Sequence, residues 1–145
     1  MNIRLNGLQD RILPVRAAVT DADQLVTLYH YAENTGGHGL TTPNQADKRS
    51  PNVTTSQVPG IRLETFLDNQ EIKYVDFIKM DVEGAEYRIF MGRPDLLRMI
   101  GQLEVETHRP TSGERPEDLV RFFRELGFSV TYSSVNPERL IHVSR

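Results

Sequence analysis

The chain has 145 residues, a formal net charge of −3 and no cysteine. With 38% apolar and 26% charged residues, it has the composition of one ordinary folded domain with a real core. A weakly acidic balance leaves no excess of Lys and Arg to displace counterions, which argues against broad binding to a nucleic acid backbone. The lack of cysteine excludes disulfide frameworks and thiolate metal sites, and it fits a cytoplasmic protein. No apolar run approaches the roughly 18 residues of a membrane helix. The opening MNIRLNGLQD has no apolar stretch of the kind a signal peptide needs.

Residues 2–8 read as the last turn of a helix, with Gly7 just past its end in the left-handed conformation. Residues 12–19 (ILPVRAAV) and 25–31 (LVTLYHY) read as strands, with turn chemistry in the TDADQ between them. Residues 33–57 are polar and carry Gly36, Gly37, Gly39, Pro43 and Pro51, which predicts a long loop. A short helix or turn is expected over residues 63–67. Residues 74–82 (YVDFIKMDV) are mostly apolar at both alternating positions, which predicts a strand buried from both sides, as in parallel sheets.

Residues 84–90 then predict a helix, broken near Gly92 and restarted at Pro94, a good first-turn residue. Residues 102–107 (QLEVET) predict another strand. Pro116, Glu117 and Asp118 mark a helix start, and Leu119, Phe122, Phe123 and Leu126 follow at the spacing of one helix face. Gly127 closes that helix. Residues 128–134 and 139–144 read as strands of a hairpin joined by VNPE. Alternating strands and helices predict a layered α/β fold.

The run VDFIKMDVEGAE at residues 75–86 is the most informative. It places Asp81 at the carboxyl end of a strand, where open α/β sheets bind ligands, and Glu83, Gly84 and Glu86 at the start of the next helix. A structural reading stands beside this. Asp81 fits an N-cap, and Glu83 and Glu86 fit simple complements to the helix dipole.

The longer run VDFIKMDVEGAEYRIF resembles the signature of FkbM-type methyltransferases, a hydrophobic strand running into K-x-D-V-E-G-x-E. NIRLNGL, AAVTD, GIRLETFLD, LEVETH and EDLVRFFRELGFSV are similar to other segments of that family; residues 33–57 match it least. The resemblance implies a single domain over residues 1–145. Its fold would be a partial Rossmann-like class I methyltransferase sheet, with helices on its faces and a C-terminal antiparallel hairpin. It also implies methyl transfer from S-adenosylmethionine, usually to an oxygen and often on a sugar or natural product.

Carried onto this chain, the resemblance makes Asp81 the residue nearest cofactor and acceptor, with Glu83 as a second site residue. His108 becomes a base or an acceptor-binding group. Ala18 and Val19 would lie against the adenine. Tyr29, His30, Tyr31 and the remaining histidines show no ligand spacing, so no metal site is expected.

The family's first strand, its Gly-rich turn and the acidic residue after its second strand have no counterpart here. GGHG at residues 36–39 has neither the spacing nor the strand–turn–helix context of a nucleotide fingerprint. The expectation is therefore a truncated domain, its strand over residues 74–82 left as an open apolar edge. The expected partners are a small-molecule or glycan acceptor and a complementing N-terminal segment or second copy. Neither nucleic acid nor membrane is expected among them. Two alternatives are a non-catalytic remnant that binds a partner chain through the open edge, and a sugar-nucleotide transferase whose acidic motif recruits a metal.

Overall fold

The computed structural model describes residues 2–31, 53–108, 113–133 and 139–145. The predicted loop over residues 33–57 and the VNPE turn fall largely outside these. The architecture is mixed α/β, as expected, but the strands divide into two sheets rather than one.

Helix α1 (Asn2–Leu5) ends as predicted. Gly7 adopts φ 65°, and the N–H groups of Gly7 and Leu8 return to the carbonyls of Arg4 and Ile3. This pairing satisfies carbonyls that a helix end otherwise leaves orphaned. The first sheet holds β1 (Ala18–Thr20), β2 (Leu25–Tyr31) and β3 (Val53–Arg62) in the order β1-β3-β2. β1 is shorter than the predicted strand over residues 12–19. Its partner β3 offers it only Gly60, Ile61 and Arg62, and Ile12, Leu13 and Val15 remain exposed.

The predicted loop is also corrected. Residues 53–57 belong to β3, which pairs antiparallel with all of β2. Pro59 is tolerated within β3 because β1 pairs only from Gly60 onward. Among the described residues, Pro59 therefore has no strand on the side where its missing N–H would matter.

β3 runs directly into α2 (Leu63–Asn69), whose Leu63 and Leu67 enter the core. Asp23, in the β1–β2 turn, clasps this junction. Its carboxylate accepts from the Arg62 N–H and Nε and from the Thr65 hydroxyl, each at 2.8 Å. These donors, the Arg62 N–H foremost, hold the Asp23 carboxyl below its ordinary range.

The second sheet has the order β4-β5-β7-β6, from β4 (Val75–Met80), β5 (Ile100–Glu106), β6 (Ser129–Ser133) and β7 (Leu140–Ser144). β4 and β5 are parallel; β7 is antiparallel to both β5 and β6, so the predicted hairpin forms. The registry Met80↔Val105 and Val105↔Ile141 puts one apolar face together, with Leu103 and Val143 beside it.

On that face pack α3 (Glu86–Phe90), α4 (Pro94–Arg98) and α5 (Pro116–Glu125), which bury Tyr87, Phe90, Leu96, Leu97, Leu119 and Phe123. At the start of α5 the Asp118 carboxylate accepts the Arg115 N–H at 2.9 Å, which satisfies one free donor of the first turn.

The opposite face is polar. Lys79 reaches Glu104 and Glu106 at 3.7 and 3.3 Å, and His142 lies 3.2 Å from Glu104. Phe77, on the same face, is 53% exposed. The expectation that residues 74–82 are buried from both sides is thus wrong. Among the described residues, α3, α4 and α5 pack on one face, and β4 stands at the end of the strand order.

The first sheet attaches to the second through α2, α3 and α4. Val19 packs against the core. Arg93 pairs with Glu64 at 2.7 Å and donates to the Asp21 carbonyl at 3.1 Å. Among the described residues, no helix is long and apolar enough to cross a membrane.

Candidate functional site

β4 ends at Met80, and α3 does not begin until Glu86. The chain reverses in between through two successive positive φ angles, 52° at Glu83 and 101° at Gly84. The second suits glycine; the first is uncommon for a residue with a Cβ. A Cβ placed on Gly84 would meet nothing within 4 Å, so backbone conformation, not crowding, is what calls for glycine there.

The N-cap of α3 is Ala85, with no side-chain capping bond. Asp81 is therefore not a helix cap, and Glu83 lies outside the helix.

The turn carries Asp81 and Glu83 toward His108, just past the end of β5. Because β4 and β5 are parallel neighbours with Met80 opposite Val105, residues shortly after each strand emerge at the same end of the sheet. Thr107 anchors this end, since its N–H and its hydroxyl both donate to the Arg139 carbonyl at 2.9 Å. The next residue then points its imidazole into the turn. His108 Nε2 lies 3.4 Å from Glu83 Oε2 and 3.8 Å from Asp81 Oδ1.

Glu86 holds the other side of the ring. Its Oε1 is 2.9 Å from His108 Nδ1 and accepts the Gly84 N–H at 3.0 Å. The side chain is 0% exposed, and among the described residues Oε2 has no hydrogen-bond partner. A glutamate is rarely buried so fully unless it is paired, and here the pairing falls to Oε1 alone. Nδ1 donating to Glu86 leaves the Nε2 lone pair facing Asp81 and Glu83 in the neutral ring.

The structure brings together Asp81, Glu83 and His108, three of the residues singled out in the sequence. One potential ligand atom of each lies within 4.8 Å of the others. Spacing in the chain does not announce this group, because His108 arrives from a different strand. Ala18 and Val19 are not part of it. They lie half-buried on β1 in the other sheet, paired with Gly60 and Ile61.

Glu86 is the residue the sequence reading undervalued. The signal was present. Glu86 stands at the position whose i+3 and i+4 neighbours are the buried Ile89 and Phe90, so a charge occupies the apolar stripe of a short helix.

The hydrogen bond to Glu86, joined by the charges of Glu86, Glu83 and Asp81, pushes the His108 imidazole above its ordinary value of 6.5, while burial opposes the shift. Burial pushes the Glu83 carboxyl up, and the charges of Asp81 and Glu86 add to this against the pull of His108. A raised histidine value means the folded state binds the proton more tightly than the unfolded one. The stability it contributes is full below the unfolded value and is lost as pH rises through the folded value. In metal-free buffer, His108 ring resonances followed by NMR should titrate above the ordinary value, and Glu86→Gln should bring them down. Titration at or below the ordinary value would show that Glu86 does not grip the ring.

A family model described as Methyltransferase FkbM domain matches residues 2–130. No curated protein and no solved structure matches the chain significantly.

Proposed function

The chain belongs to the FkbM methyltransferase family, and on that premise we propose that it transfers a methyl group from S-adenosylmethionine to a hydroxyl of a sugar or other small molecule. The observation that carries this reading is the convergence of Asp81, Glu83 and His108 at the carboxyl end of β4. Ligands of open α/β sheets bind at such ends.

The residues present fit the cationic part of the cofactor. Two carboxylates, one of them half-exposed, face the space beside an open Gly84 backbone. A negative field there favours a sulfonium and an ammonium. Bound S-adenosylmethionine supplies an electrophilic methyl on sulfur. Asp81 holds the cofactor and acceptor against each other, and Glu83 flanks the acceptor. His108, its Nδ1–H fixed by Glu86, would turn Nε2 to the acceptor hydroxyl and accept its proton as the methyl leaves sulfur for oxygen. Most of the rate gain comes from alignment of acceptor and methyl. The residues act with His108 neutral, so transfer rises with pH through the raised histidine value.

The test is methyl transfer from radiolabelled S-adenosylmethionine to a panel of glycans and hydroxylated small molecules, run beside calorimetric titration of the cofactor. Cofactor binding with label on oxygen is the expected result. Label on nitrogen or carbon reassigns the acceptor class. A folded chain that binds no S-adenosylmethionine overturns the reading.

A further inference from the structure

We propose that Asp81, Glu83 and His108 form a three-ligand site for a divalent cation of the Mg²⁺ or Mn²⁺ class. The three donors converge without pairing well with one another. The Nε2 separations of 3.4 and 3.8 Å exceed the roughly 2.9 Å of a good hydrogen bond. Neighbouring ligands around an ion with bonds of about 2.1–2.4 Å stand roughly 3.0–3.4 Å apart. The Glu83–His108 pair already has that spacing. Asp81 Oδ1, on a side chain 46% exposed, stands 3.8 Å from Nε2, just outside that spacing.

Glu86 is the second, independent observation. It is fully buried, one oxygen has no partner among the described residues, and the other holds Nδ1 of the imidazole that walls the cluster. A carboxylate behind the ring fixes the tautomer and aims Nε2 outward, as in histidines that ligate metals.

Charge points the same way. Asp81, Glu83 and Glu86 surround one imidazole; among the described residues, Lys79 is paired with Glu104 and Glu106, and Arg88 with Asp21. Two carboxylates and one imidazole suit a hard or borderline ion that prefers six ligands. Three positions then stay open for water or for hydroxyls of the acceptor. That last role rests on the methyltransferase reading. There the acceptor oxygen takes one of the open positions on the cation rather than a hydrogen bond to Nε2, and the cation makes its proton easier to lose. Cation binding itself does not depend on that reading.

The test uses the full chain, stripped of metal by chelation and titrated with Mn²⁺. Electron paramagnetic resonance counts the bound ion, and NMR maps the residues it broadens. We expect one Mn²⁺ per chain, with broadening centred on residues 81–86 and 105–108. Glu83→Gln, His108→Ala and Glu86→Gln should each weaken binding by roughly 10- to 100-fold, with circular dichroism confirming the fold. If Glu86→Gln does not fold, His108→Gln replaces it, since it keeps a polar side chain and removes the ligand nitrogen. Broadening scattered over surface acids, or an unchanged affinity in His108→Ala, overturns the site. Methyl transfer at full rate after chelation overturns the cation's part in the reaction and leaves the methyltransferase standing. Localised Mn²⁺ binding without any cofactor binding supports the site and sinks the methyltransferase reading.

Discussion

Phe123→Ala should lower the unfolding free energy by roughly 3–5 kcal/mol, the range for truncating a buried aromatic. Phe123 is 0% exposed and lies at the centre of the core. Its ring meets Phe90 edge-on, with centroids 5.7 Å apart at 70°, and it touches the Phe122 ring at 6.2 Å. One side chain therefore joins α5 to α3. Truncation opens a cavity between two helices whose positions are also set by the sheet beneath them, so collapse is limited. Domains of this size have only about 5–15 kcal/mol of stability in total, so the variant should approach the threshold of folding. Urea denaturation checks this through the midpoint at an unchanged slope. A loss under about 1 kcal/mol would mean that α5 does not sit as described. Phe122→Ala, which removes a half-buried ring, should cost less and serves as the control.

Asp81→Asn should reduce methyl transfer by roughly a hundredfold or more, on the scale of losing one positioned acid–base or charged group, while leaving thermal stability almost unchanged. The two halves of this expectation have separate grounds. Asp81 faces both Glu83 and His108, at the end of the strand where a ligand would bind. It caps no helix, because the N-cap of α3 is Ala85. Its carboxylate is half-exposed, so the isosteric amide leaves no buried group unsatisfied. Measuring kcat/KM together with Tm separates the outcomes. A full rate removes Asp81 from the chemistry. A lowered Tm with a lowered rate assigns it a structural part.

α5 could be read from the sequence because Leu119, Phe122, Phe123 and Leu126 repeat at helical spacing between Pro116 and Gly127. The Gly7 cap was equally legible, since a left-handed residue past a helix end has a local cause. β3 was not legible. VTTSQVPGIR mixes Ser, Thr, Pro and Gly, and these read as loop until β2 is known to lie alongside Val53–Pro59, seven of its ten residues. Likewise, the predicted strand over residues 12–19 was cut short by the few positions its partner offers. Partner geometry, which no local pattern contains, decided both.

In the site, resemblance pointed to Asp81, Glu83 and His108, and the fold assembled them. The burial of Glu86 depends on how α3 packs on the sheet, so only its misplaced charge in an apolar stripe hinted at it. The one-sided covering of β4 was equally hidden. Phe77 looks like a core residue until the polar row of Lys79, Glu104 and His142 shows which face is bare.

The grip of Glu86 on His108 has a consequence for the order in which the chain folds. The two residues are 22 apart and meet only when β4 and β5 lie side by side. That parallel pair cannot close through a tight turn. It needs α3 and α4 to span the crossover, so its loop entropy must be met before any strand contact rewards it. A partly folded chain with its helices formed but β4 and β5 apart holds Asp81, Glu83 and Glu86 with no imidazole among them, and their mutual repulsion opposes compaction. The contact between Glu86 and His108 therefore forms no earlier than the pairing of β4 with β5. The His108 ring signal, read during refolding, should report when that parallel pairing is complete.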